Sequence, residues 1–207
     1  MTGKIVQYLR DTYHPRALLL YGSYVRGDFD ACSDFDCMVI VNEKTKKHDS
    51  SVIEGVPLDC YIFTADETVS EDPDVFLPAC DAEIVVDDGV GRALKERVRR
   101  YVREHEKIDD GEKQFIVSWI KKTLKRMEKD DDEGNCRAVM LLNESLADYY
   151  LLRDMFYFGS KQAIGYLREN DPKGFALFHD AIRSRTADSI AAWANHVIGE
   201  SKNTADR

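Results

Sequence analysis

Apolar residues along this chain change their spacing once, near residue 88. Before that point they come in short continuous runs: Ala17-Leu18-Leu19-Leu20-Tyr21, Cys37-Met38-Val39-Ile40-Val41, Val56 to Phe63 and Ala82 to Val86. Runs of this length, rich in β-branched residues and bounded by turn formers, predict buried strands. Beyond it they recur every three or four residues, as in Val90, Leu94, Val98, Tyr101 and Val102, which predicts an amphipathic helix from Val90 to roughly Lys107. Further helices are expected over 114–129, 136–158, 161–170, 172–184 and 187–198. Asp109-Asp110-Gly111 and the stretch from Lys129 to Gly134 read as solvated turns. The chain thus divides into an N-terminal domain, residues 1–88, built on strands, and a C-terminal all-α helical bundle, residues 89–207.

The chemistry is concentrated in Tyr21-Gly22-Ser23-Tyr24-Val25-Arg26-Gly27-Asp28-Phe29-Asp30-Ala31-Cys32-Ser33-Asp34-Phe35-Asp36. Gly22-Ser23 breaks the first strand before a short helix, and free N–H groups at a helix start favour a phosphate. Ser23 can donate its hydroxyl to a phosphate oxygen or cap the helix. Arg26, three residues on, shares its helical side and can offer a guanidinium fork, or it can pair with Asp28 or Asp30. If the next strand begins near Ser33, Asp34 and Asp36 point to one face with Cα atoms roughly 6.5 Å apart. That separation suits two divalent ions about 3.5–4 Å from each other. Asp59 interrupts an apolar run, where a carboxylate is costly to bury unless paired or metal-bound. It shares a face with Tyr61, while Leu58, Cys60 and Ile62 take the other.

Gly22, Ser23, Arg26, Gly27, Ser33, Asp34, Asp36 and Asp59, in this order and spacing, resemble the nucleotidyltransferase superfamily that includes DNA polymerase β. The resemblance covers roughly residues 1–90, and the compact size looks like the minimal nucleotidyltransferases and the small antibiotic nucleotidyltransferases. It implies an α+β fold with a mixed sheet flanked by helices, and two Mg²⁺ ions held by Asp34, Asp36 and Asp59. It further implies a nucleoside triphosphate, expected to be ATP, bound at Gly22, Ser23, Arg26 and Ser33. An acceptor hydroxyl would then attack the α-phosphorus in line and release pyrophosphate, with Asp59 beside the attacking oxygen. In antibiotic nucleotidyltransferases of this layout the helical domain helps enclose the acceptor and carries a carboxylate base. Glu144 is the nearest counterpart here, with Asp148 a competing candidate one turn later. An aminoglycoside, a lincosamide or a related hydroxyl compound is the acceptor the resemblance favours. A protein acceptor, as in antitoxins of the minimal type, and a non-catalytic nucleotide-binding module are the alternatives. Two copies pair to complete one cleft in some relatives, so a homodimer stays open.

Charge narrows the partner. Residues 1–88 hold 7 Lys+Arg against 18 Asp+Glu, net −11, and the remainder is +2. So acidic a catalytic half, without a basic stripe, predicts no nucleic-acid partner and favours a neutral or cationic acceptor. No run approaches about 18 consecutive apolar residues and Met1-Thr2-Gly3-Lys4 lacks a signal-like core, so no membrane partner and a cytoplasmic protein are expected. The five cysteines contain no CxxC pair and read as reduced thiols, and the five histidines show no zinc spacing.

Overall fold

The computed structural model describes residues 2–199, which form two compact units divided between Val102 and Arg103. The N-terminal unit is built on a mixed sheet of β1 (Ala17–Leu20), β2 (Phe35–Val41), β3 (His48–Asp49), β4 (Val52–Ile53), β5 (Val56–Thr64) and β6 (Glu83–Asp87). The strand order is β3-β5-β2-β1-β6, with β4 paired to β5. Among the described residues, β2 and β5 run parallel and every other pair is antiparallel. The fold is the α+β arrangement that the apolar runs and the resemblance predicted.

Alternation decides what each face of the sheet does. Leu18 and Leu20, Cys37, Val39 and Val41, and Leu58, Cys60 and Ile62 point to one side. There they meet Ile5 and Leu9 of α1 (Thr2–Tyr13), both fully buried. The apolar pattern missed this helix because its buried stripe is only two residues wide. Ala17, Leu19, Met38, Ile40 and Phe63 occupy the opposite face. The far part of that face is roofed by the 3-10 segment Pro73–Cys80 and by α4 (Val90–His105). Phe63 stacks edge-on against Phe76 with centroids 4.8 Å apart. A Cβ on Gly91 of α4 would come within 3.0 Å of Ala17 Cβ, so the helix sits close over β1. α4 itself lies across the division at residue 102.

The C-terminal unit holds α5 (Asp110–Met127), α6 (Asp132–Leu151), α7 (Ser160–Asn170), α8 (Pro172–Ser184) and α9 (Ala187–Val197). The expected helix over 136–158 stops at Leu151, because Arg153, Asp154 and Met155 turn their N–H groups back onto Tyr150 and Leu151. The acidic turns are helix starts: Asp109 accepts from Glu112 N, Asp131 from Gly134 N and Asp171 from Gly174 N. Trp193 is fully buried at the centre, its Nε1 donating to Ser145 Oγ at 2.8 Å. Tyr149 and Tyr150 are buried in this core. Among the described residues no helix is long and apolar enough to cross a membrane.

Candidate active site

The glycine turn, the two strands and one histidine meet at the uncovered end of the second face. Gly22 stands at the end of β1 with φ 73° and ψ −156°, a conformation that side chains disfavour. Its Cα is pressed against the next strand: a Cβ there would lie 1.8 Å from Asp36 Oδ2. Glycine at this position is therefore what allows the turn to close over the carboxylate. α2 (Ser23–Arg26) follows as a single turn of helix with Ser23 buried. It ends at Gly27 in the left-handed region (φ 82°), whose N–H donates to Ser23 O. Both glycines of the Gly-Ser-x-x-Arg-Gly motif thus answer to backbone geometry.

Asp36 and Asp59 face each other across the parallel β2–β5 pair, in the same register position. Adjacent strands lie about 4.8 Å apart, so the two half-buried side chains leave the sheet side by side. Burial of Tyr21 pushes its phenol well above the ordinary range, and the nearby Asp59 and Asp36 carboxylates add to the shift. The local field at this end of the sheet is strongly acidic.

Asp34 corrects the expectation of a strand from Ser33. β2 begins at Phe35, and Asp34 is exposed just before it. The residue that would lie opposite is Pro57, which has no N–H to extend the ladder. Upstream, the chain is tied into a tight turn: Ser33 N donates to Asp30 O (3.2 Å), Asp30 N to Ser33 Oγ (2.9 Å) and Cys32 N to Asp30 Oδ1 (2.8 Å). Ser33 works in that turn. Arg26 pairs with Asp28, Nε to Oδ1 3.3 Å, both half-exposed.

The sequence did not single out His48. It lies on β3, and its Nε2 is 2.7 Å from Asp59 Oδ1, with its ring 4.8 Å from that of Tyr61. Its only signal was position, in a polar stretch whose pairing with β5 no local pattern announces. Beside this contact a cavity of about 540 Å³ opens on the sheet face, lined by Tyr21, Met38, His48, Tyr61, Phe63 and the edge of the 67–78 segment.

A pair of adjacent carboxylates beneath a glycine turn fits a hard divalent cation in donor type and spacing. The full three-aspartate set is not gathered: among the described residues no three His, Cys, Asp or Glu side chains form a group able to hold a metal. Asp36 and Asp59 are brought together, with Asp34 at their approach.

In the bundle, Glu144 is exposed on α6, and Asp148 one turn on is half-buried. Burial, reinforced by the charge of Glu144, pushes the Asp148 carboxyl up to about 6. Of the two carboxylates proposed as a base, Asp148 has the environment suited to proton transfer near neutrality.

Residues 3–56 match the family model described as polymerase beta, nucleotidyltransferase. No curated protein matches the chain. Among solved structures, a nucleotidyltransferase-like protein from Exiguobacterium sibiricum 255-15 is similar over 94% of this chain and 74% of that one. The identity is 10% and the TM-score 0.41, a likeness too distant to carry an argument. The matched segment holds the glycine turn that closes over Asp36, and over residues 3–56 the N-terminal unit is similar to the polymerase beta nucleotidyltransferase family.

Proposed function

We propose that this chain is a magnesium-dependent nucleotidyltransferase that moves a nucleoside monophosphate from a nucleoside triphosphate to a hydroxyl of a small molecule. AMP from ATP is the simplest case, and hydroxyl-bearing antibiotics fall within the acceptor class. The observation that carries this reading is the in-register pair Asp36–Asp59 beneath the Gly22 turn. Asp36 and Asp59, with Asp34 at the approach, would hold the cation. When bound, Mg²⁺ offsets charge on the triphosphate and makes the attacking hydroxyl more acidic.

The protein's own groups supply position. The side-chain-free turn at Gly22 lets a phosphate approach the backbone next to Asp36. Ser23 can donate to a phosphate oxygen, and Arg26 reaches one by leaving Asp28, an exchange of one exposed ion pair for a charge-assisted contact. The acceptor oxygen forms its bond to the α-phosphorus as the bond to the β-phosphate oxygen breaks. The electron pair departs with pyrophosphate, and the acceptor loses its proton. Holding these atoms in line is the main contribution of such a site.

Pyrophosphate release measured with each nucleoside triphosphate, with and without Mg²⁺, tests the reading. Turnover should require the cation and disappear in Asp36→Asn while the circular dichroism spectrum is kept. Undiminished release in Asp36→Asn would reject it.

A further inference from the structure

The cavity beside the His48–Asp59 contact has a definite place on the sheet. Asp36 and Asp59 lie in one row across β2 and β5, with Gly22, just beyond the end of β1, pressed against Asp36. The next row inward is Met38, Tyr61 and His48, in register across β2, β5 and β3. This second row is the cavity floor. One row further in, Phe63 is covered by Phe76 of the 3-10 segment. The cavity thus runs from His48, which contacts Asp59, to the 67–78 segment, and every lining residue belongs to the N-terminal unit.

Its direction matters. With phosphates at the Gly22 turn, on the β1 side, the leaving pyrophosphate departs from that side. In-line displacement brings the attacking oxygen from the opposite side, toward β5 and β3, where His48 and Tyr61 form the wall. His48 also fixes Asp59 by the 2.7 Å contact, so the carboxylate is presented at the cavity mouth in one orientation.

Its chemistry matters as much. Met38, Tyr61, Phe63, Val75 and Pro78 give it an apolar and aromatic surface. Of the charged residues at its edge, Lys44 is held by Glu67, and Lys47 and Glu71 stand there with opposite charges. These four rim residues carry no net formal charge, so the apolar and aromatic surface sets the ligand class. The volume, about 540 Å³, is that of an ordinary small-ligand site.

We infer that this cavity is the acceptor site and that it takes a compact alcohol with an aromatic or apolar face, rather than a polycationic sugar. The body of the alcohol lies on Tyr61 and Met38, and its hydroxyl is presented where His48 meets Asp59. His48 acts as a positioning residue, through Asp59. The assignment rests on the nucleotidyl-transfer reading for the direction of attack, and on the cavity alone for the chemical class.

Binding of benzyl alcohol, 4-hydroxybenzyl alcohol, cyclohexanemethanol and kanamycin to the full chain, by saturation-transfer difference NMR and calorimetry, tests it. The three alcohols should bind more tightly than kanamycin. Tyr61→Ala and Val75→Glu change exposed side chains and should keep the fold; each should weaken alcohol binding at least tenfold. Asp36→Asn should abolish transfer and leave alcohol binding intact. In turnover, Tyr61→Ala should raise KM for the acceptor and not for the nucleotide. His48→Ala should lower kcat with alcohol affinity changed less than threefold, and His48→Gln should restore part of it. Kanamycin binding better than the alcohols, or equal alcohol affinity in wild type, Tyr61→Ala and Val75→Glu, overturns the assignment. Persisting transfer in Asp36→Asn would instead strike the nucleotidyl-transfer reading and leave the cavity's ligand class untouched.

Discussion

Replacing Gly22 with alanine couples two effects that the structure allows to be separated. The backbone there, φ 73° and ψ −156°, lies where residues with a Cβ pay about 1–3 kcal/mol. In addition, the new methyl would stand 1.8 Å from Asp36 Oδ2, less than any real contact, so either the turn lifts or the carboxylate swings away. In a unit of this size each kcal/mol corresponds to roughly 4–8 °C in Tm. A loss of about 2 kcal/mol therefore predicts a fall of roughly 8–16 °C for the N-terminal transition. Displacing Asp36 by about 1 Å should lower kcat on the order of 10²-fold. Gly55→Ala supplies the control. Gly55 also has positive φ, 82°, but nothing lies within 4 Å of its Cβ position. It should lose about 1–2 kcal/mol and keep its kcat. Differential scanning calorimetry and pyrophosphate release, run on both variants at a temperature where each is folded, make the comparison. If Gly22→Ala loses no more activity than Gly55→Ala, the contact with Asp36 has no functional weight and the reasoning fails.

Three further outcomes follow from the same geometry. Asp34→Asn should reduce Mg²⁺-dependent turnover with no change in Tm, since its exposed carboxylate holds no strand; unaltered Mg²⁺ dependence would remove Asp34 from the site. Asp49 is buried at 2% exposure, and burial alone would raise its pKa. Hydrogen bonds from Ser51, Tyr13 and Lys46 outweigh this and hold the carboxyl well below the usual range, so its stabilisation is present above its unfolded pKa and lost as pH falls. Urea unfolding between pH 6 and pH 2 should accordingly show a shallower acid loss in Asp49→Asn than in wild type, from a lower starting stability; parallel curves would refute the assignment. Asp148 runs the other way. Its folded pKa, raised by burial and by Glu144 to about 6, makes the ionised form a penalty at neutral pH. Asp148→Asn should stabilise the bundle by on the order of 1–2 kcal/mol at pH 7.5, with the difference gone below about pH 3, where the wild-type carboxyl is protonated in both states. Equal Tm values at pH 7.5 would show that the side chain stays solvated.

Much of this molecule is local and therefore legible from the chain alone. The strands announce themselves as short apolar runs, the helices by their three-and-four spacing, and the alternation in Val56–Thr64 sets Asp59 and Tyr61 against Leu58, Cys60 and Ile62. These features depend on a residue and its near neighbours. Helix ends were less legible where a turn competes, as at Leu151, where the N–H groups fold back before the apolar pattern ends. The assembly of the site depends on pairing between distant segments, which periodicity does not encode. The parallel β2–β5 register sets Asp36 beside Asp59. Pro57 and the Asp30–Ser33 turn end the ladder before Asp34. The antiparallel β3, two polar residues long, delivers His48 to Asp59. Those choices were made by hydrogen-bond geometry and close packing in three dimensions, where moving a strand by one residue would turn every one of these side chains to the opposite face.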